Sequence, residues 1–169
     1  MRTLLSLSIV AFTLATPAFA ADGAPGPAPA IDPNVAPCTK VTAAEIEEFV
    51  GASARIIETN PFLCRWQAGE EEKYAQVTLI PKETIGAPAG KERAYFDQSI
   101  GGEQDRSKPG EMVELQDIGE SAWALKLADN PTNFHQIYFF KNLKTGTVAT
   151  NGVGYEATVE LARRAAARF

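Results

Sequence analysis

Apolar residues recur with a helical period at only three places in this chain, and elsewhere they alternate with polar ones, so strands are expected to outnumber helices. The first helical stretch follows Thr42-Ala43-Ala44-Glu45, a capping box in which hydroxyl and carboxylate satisfy opposite orphan N–H groups. Ile46, Phe49 and Val50 supply its apolar face, and Gly51 is placed to end it. The period then changes to two. Ala54 to Glu58 reads as a strand that Asn60-Pro61 interrupts. Phe62 to Gln67 sets Phe62, Cys64 and Trp66 on one side against Leu63, Arg65 and Gln67 on the other. A polar turn at Gly69 to Glu72 leads to a hairpin partner, Tyr74 to Ile80.

After a loop from Pro81 to Gly90, Lys91 to Ile100 is expected to form a second short helix with Ala94, Tyr95 and Gln98 facing inward. Gly101 to Gly110 is polar and glycine-rich, which marks a loop. The second half reads as an antiparallel meander. Met112 to Leu115, Ala122 to Leu127, Phe134 to Lys141 and Thr147 to Asn151 alternate, separated by turns at Asp117 to Glu120, Asp129 to Asn133 and Asn142 to Gly146. Glu156 to Phe169 closes the chain with a stripe of Val159, Leu161, Ala162, Ala165 and Ala166, and Arg163, Arg164 and Arg168 complement the helix dipole. Helices this short must pack on a sheet to bury their stripes. The expected fold is therefore α+β: an antiparallel sheet of six to seven strands with a short N-terminal helix and a C-terminal helix packed on it.

The first 37 residues have another character. Arg2 precedes an apolar run from Leu4 to Ala15, Pro17 breaks it, and Ala18-Phe19-Ala20 offers small residues for a signal peptidase. The run is shorter than the roughly 20 residues that cross a bilayer. A secretory leader cleaved after Ala20 is expected, with no membrane span, and with a periplasmic or secreted product. Residues 21–37 are rich in Ala, Pro and Gly and read as a flexible spacer, so the folded domain is expected over 38–169. Loss of Arg2 takes the formal charge from −5 to −6. That acidity offers no footprint for nucleic acid.

Export changes the meaning of the two cysteines, Cys38 and Cys64. In an oxidising compartment a single disulfide is the economical reading. Closing a loop of about 25 residues contributes roughly 3.5 kcal/mol. A redox pair would be closer spaced, and a zinc site would need four ligands where the chain has one His.

Several landmarks together resemble the small exported bacterial proteins of the DUF3558 type, which are similar to the Mog1/PsbP-like fold. The matching residues are Cys38, Gly51, Cys64-Arg65-Trp66, Gly119-Glu120-Ser121-Ala122-Trp123 and Leu161-Ala162-Arg163-Arg164. Many members are lipoproteins; the lipid-attachment Cys is missing here. The resemblance implies no general catalytic activity.

The residues point the same way. A Ser-His-Asp set would have to use His135, which lies in a strand beside Ile137 and Phe139 in the alternation. Cys catalysis is lost if the thiols are joined. The acids Glu70 to Glu72, Glu111, Glu114, Asp117 and Glu120 gather at turns and strand ends, and none stands out as half of a hydrolase pair. Gly101-Gly102 lacks the Lys-Ser/Thr of a phosphate cradle. Neither catalytic, metal nor cofactor residues are assigned. Trp66 and Trp123 are more often core than pocket, and are kept as candidates to line a ligand pocket; Arg65 is a candidate to face an anionic ligand, with a solvated strand face as the favoured alternative. The function expected is a noncatalytic binding module of the cell envelope, monomeric, recognising a protein or a small apolar ligand. The alternatives are an inhibitor or immunity-type protein acting through Gly101 to Gly110, and a carboxylate hydrolase.

Overall fold

The alternating stretches become seven strands: β1 (Ala54–Asn60), β2 (Leu63–Ala68), β3 (Tyr74–Ile80), β4 (Gly110–Leu115), β5 (Ser121–Leu127), β6 (His135–Lys141) and β7 (Lys144–Asn151). Three α-helices accompany them: α1 (Ala43–Val50), α2 (Glu92–Gly101) and α3 (Tyr155–Ala167). The computed structural model describes residues 31–50, 53–69, 73–80, 86–101, 110–127 and 129–169. The expected leader, most of the spacer, Gly51, the Glu70 to Glu72 turn and all but the ends of the Gly101 to Gly110 loop lie outside the described residues.

All seven strands form one antiparallel sheet in the order β1-β2-β3-β7-β6-β5-β4. It is two meanders, β1 to β3 and β4 to β7, joined where β3 pairs β7 from Tyr74↔Asn151 to Ile80↔Thr145. The fold class and strand number agree with the sequence pattern.

Local chemistry explains most element boundaries. In the capping box the Thr42 N–H donates to Glu45 Oε2 at 2.8 Å and the Glu45 N–H donates to Thr42 Oγ1 at 3.3 Å. The β6–β7 turn is shorter than the expected Asn142 to Gly146. Asn142 and Leu143 both adopt positive φ, +50° and +62°, as a two-residue type I′ turn requires, so Thr145 and Gly146 already belong to β7. Gly146 is needed for space: a Cβ there would lie 2.3 Å from the Phe139 ring and 2.8 Å from that of Phe169.

One face of the sheet carries α1, α3 and a short 3-10 helix at Ala36–Thr39. The main core lies beneath them: Cys64, Trp66, Val77, Ile137, Phe139 and Val148 from the strands, Ile46 from α1, and Leu161, Ala162, Ala165 and Ala166 from α3. The alanines keep α3 close to the sheet, where Thr150 and Thr158 hydrogen-bond at 2.7 Å. Cys38 and Cys64 form the disulfide, with Cα atoms 5.1 Å apart, tying the 3-10 helix to β2. Packing also reaches back before Cys38. Pro37 is buried, Val35 packs on the core, and the Asp32 N–H donates to Thr59 Oγ1 at 3.0 Å. The end of the stretch expected as spacer is thus docked, because it holds two apolar side chains beside the disulfide.

Arginines join α1 to α3. Arg168 binds Glu45 at 2.6 Å and Arg164 binds Glu48 at 2.7 Å. The Arg168 guanidinium, more than any other partner, holds the Glu45 carboxyl down to about 2.

The opposite face carries α2 over β4, β5 and β6. Its anchor is Phe96, 2% exposed and stacked at 5.8 Å on Phe140. Asp97 beside it accepts from Ser121 Oγ and from Trp123 Nε1. The expected inward residues are corrected by this arrangement. Ala94, Tyr95 and Gln98 all face solvent, Tyr95 being 41% exposed. A helix held by one ring and one carboxylate presents no apolar stripe for a period to reveal.

Candidate functional site: an open polar face on the first meander

Alternation sends Cys64 and Trp66 of β2 to the helix-covered side and Arg65 and Gln67 to the other. In β3, Ala75 and Val77 go in, while Tyr74, Gln76 and Thr78 join Arg65 and Gln67. β1 obeys the rule only with an interruption. Between Ile56 and Glu58 the register shifts, so Ile56 pairs with Trp66 and Glu58 pairs with Arg65. Ile57 is the extra residue of a bulge and is left exposed. Strict alternation would have turned Glu58 toward the core; the bulge returns it to the face that holds Arg55 and Arg65.

These side chains form two bonded groups side by side, one around Arg65 and one of Arg55 with Gln67. Arg65 Nη1 lies 3.0 Å from Glu58 Oε2. Its Nε and Nη2 donate to Gln76 Oε1 at 2.9 and 2.6 Å, and its guanidinium sits 5.2 Å over the Tyr74 ring. Gln76 Nε2 donates to Thr78 Oγ1 at 3.3 Å. Arg55 Nη2 donates to Gln67 Oε1 at 2.9 Å; Arg55 is exposed, whereas Gln67 keeps only 9% of its surface in water. Each arginine is thus pre-oriented by an amide that accepts without cancelling its charge. Among the described residues, the helices that pack most on β1, β2 and β3 are α1 and the 3-10 helix, on the opposite side.

The candidates from sequence separate. Trp66 is core, 1% exposed under the helices, so it lines no surface that a ligand reaches. Trp123 lies on the opposite face and spends its N–H on Asp97. Arg65 lies on the open face, but β3, β7 and β6 stand between it and Trp123. Of the three, only Arg65 belongs to the polar layer. Sequence reasoning missed Arg55, Glu58, Gln67, Tyr74 and Gln76. The signal for most of them was present, since Arg-x-Gln in β2 and Tyr-x-Gln-x-Thr in β3 put polar groups at successive outward positions, with the apolar Leu63 and Ile80 at one end of that face. The bulge that brings in Glu58 left no such mark.

His135 stands on the helix-covered face, its ring edge-on to Tyr155 at 5.5 Å and its Nε2 2.9 Å from Asn133 Oδ1. Burial lowers its pKa. Its polar partner is an amide and not a nucleophile. Among the described residues no three His, Cys, Asp or Glu side chains converge to hold a metal ion, and no helix is long and apolar enough to cross a membrane. A depression of about 300 Å³ borders Tyr95, Gln98 and Ser99 on α2, and neither tryptophan lines it. Searches among protein-family models, curated proteins and solved structures returned no match to this chain.

Proposed function

We propose that this protein is an exported, noncatalytic binding module of the cell envelope that recognises its partner through the polar face of β1 to β3. The observation that carries the reading is the layer of Arg55, Arg65, Gln67, Tyr74 and Gln76, held by the Arg55–Gln67 and Arg65–Gln76 hydrogen bonds and the Arg65–Tyr74 contact on a sheet face that α1 and α3 leave uncovered. Groups immobilised before binding lose less entropy on contact, which favours recognition. The buried disulfide and the leader-like N-terminus support export. The resemblance to DUF3558-type exported proteins points the same way. A small apolar ligand has less support, because Trp66 is enclosed in the core and Trp123 is engaged with Asp97.

The test is a heteronuclear NMR titration of the labelled, leader-free protein with extract of the envelope it came from. Shifts should gather at Arg55, Arg65, Gln67, Tyr74 and Gln76. Shifts confined to α1 and α3, or none at saturating extract, would refute the reading. The mass of the exported protein should correspond to a chain starting at Ala21 with its two thiols oxidised.

A further inference from the structure

The shape and chemistry of this face narrow what it can hold. Neighbouring strands lie about 4.8 Å apart, so the side chains from Arg55 on β1 to Gln76 on β3 spread over roughly 10 Å of pleated surface. Small ligands are usually enclosed by concave, mostly apolar pockets. The face is instead a run of guanidinium, amide, phenol and hydroxyl groups, suited to something extended. The centres of protein interfaces are apolar and aromatic. Here the one aromatic ring among the described side chains of the layer, Tyr74, is covered by Arg65, and the apolar Leu63 and Ile80 stand at one end rather than at its centre. Paired amides and hydroxyls at strand spacing complement the repeated hydroxyls of a sugar chain.

Charge sets the second condition. The chain carries a formal charge of −5, yet among the described residues of this face two arginines meet a single acid, Glu58. Glu58 is bound to Arg65. Among the described residues Arg55 bonds only the neutral Gln67 oxygen, through one of its nitrogens, and the side chain is exposed, which leaves its other donors for a ligand. An exposed guanidinium held by a neutral acceptor keeps its full charge and its fork geometry for a carboxylate.

Resting on the binding-face reading, we propose that the ligand is an acidic polysaccharide, laid across β1, β2 and β3, with a sugar carboxylate on Arg55, which Gln67 orients, and ring hydroxyls on Gln76 and Thr78. The probe is a defined oligogalacturonate, compared by calorimetry with a neutral dextran of the same length. The oligogalacturonate should bind at least tenfold more tightly, and its affinity should fall as salt rises, since exposed charges are screened. Arg55→Ala should weaken it about tenfold with melting unchanged. Lys144→Ala, at the distant β6–β7 turn, should not alter it. Equal affinity for both polymers, no binding of either, or full binding by the Arg55→Ala protein would overturn the proposal. Should envelope extract still shift the face while oligogalacturonate does not, the glycan is refuted and the binding face stands; if neither shifts it, both fail.

Discussion

The two sides of the first meander are made by the same strands, one residue apart, and they do opposite things. Toward α1 and α3, Cys64, Trp66, Ala75 and Val77 are sealed from water and add stability by burial. Away from them, Arg65 pairs with Glu58, bonds to Gln76 and lies over Tyr74, while Arg55 bonds to Gln67. Exposed ion pairs of that kind contribute less than about 1 kcal/mol each. The lesson is a division of labour: one face seals apolar side chains, and the other arranges polar ones, which are the ones the proposed binding reading uses.

Substitutions can break this contrast or sharpen it. The largest effect is expected at the brace on the covered side. Cys64→Ala should cost about 2–5 kcal/mol by denaturant unfolding, and an unchanged midpoint would remove the disulfide from the account of stability. Gly146→Ala, also on the covered side, drives a methyl into Phe139 and should cost about 2–3 kcal/mol. Wild-type stability there would mean that the two rings can part.

A third test reads the ionic clasp between α1 and α3. Glu45 is held near 2, below the roughly 4.3 of an unfolded glutamate, so its contribution is complete above about pH 4.5 and is lost as pH falls toward 2. Glu45→Gln should remove about 1–2 kcal/mol at neutral pH and flatten that acid arm. An acid arm as steep as the parent's would assign the loss to other carboxylates. Leu143→Gly should act in the opposite direction. Leu143 holds a left-handed conformation at an exposed turn, and glycine there should add about 1 kcal/mol. The smallest effect belongs to the open face: Arg65→Ala should change stability by about 0.5 kcal/mol. A loss of several kcal/mol would mean that the polar face is structural after all.

Much of this was legible from residue order. The capping box, the hairpin of β2 and β3, the α3 stripe and the pairing of Cys38 with Cys64 all follow from local spacing or from the count of thiols. The candidate site was legible only in part. Arg65 was visible as an outward strand residue, while its partners Glu58 and Gln76 come from neighbouring strands and a bulge. The inward side of α2 was misread, because Phe96 and Asp97 are adjacent residues and leave no periodic stripe.

Period-two and period-3.6 patterns arise from backbone geometry within a few residues, so the amino-acid order alone determined which segments became strands and helices and which side of β2 and β3 would be polar. Tertiary structure alone decided that β3 would pair with β7, that the β1 bulge would set Glu58 against Arg65, and that Trp66 would be enclosed while Trp123 met Asp97. Each of those depends on which surfaces meet across long stretches of chain, and no local period records that.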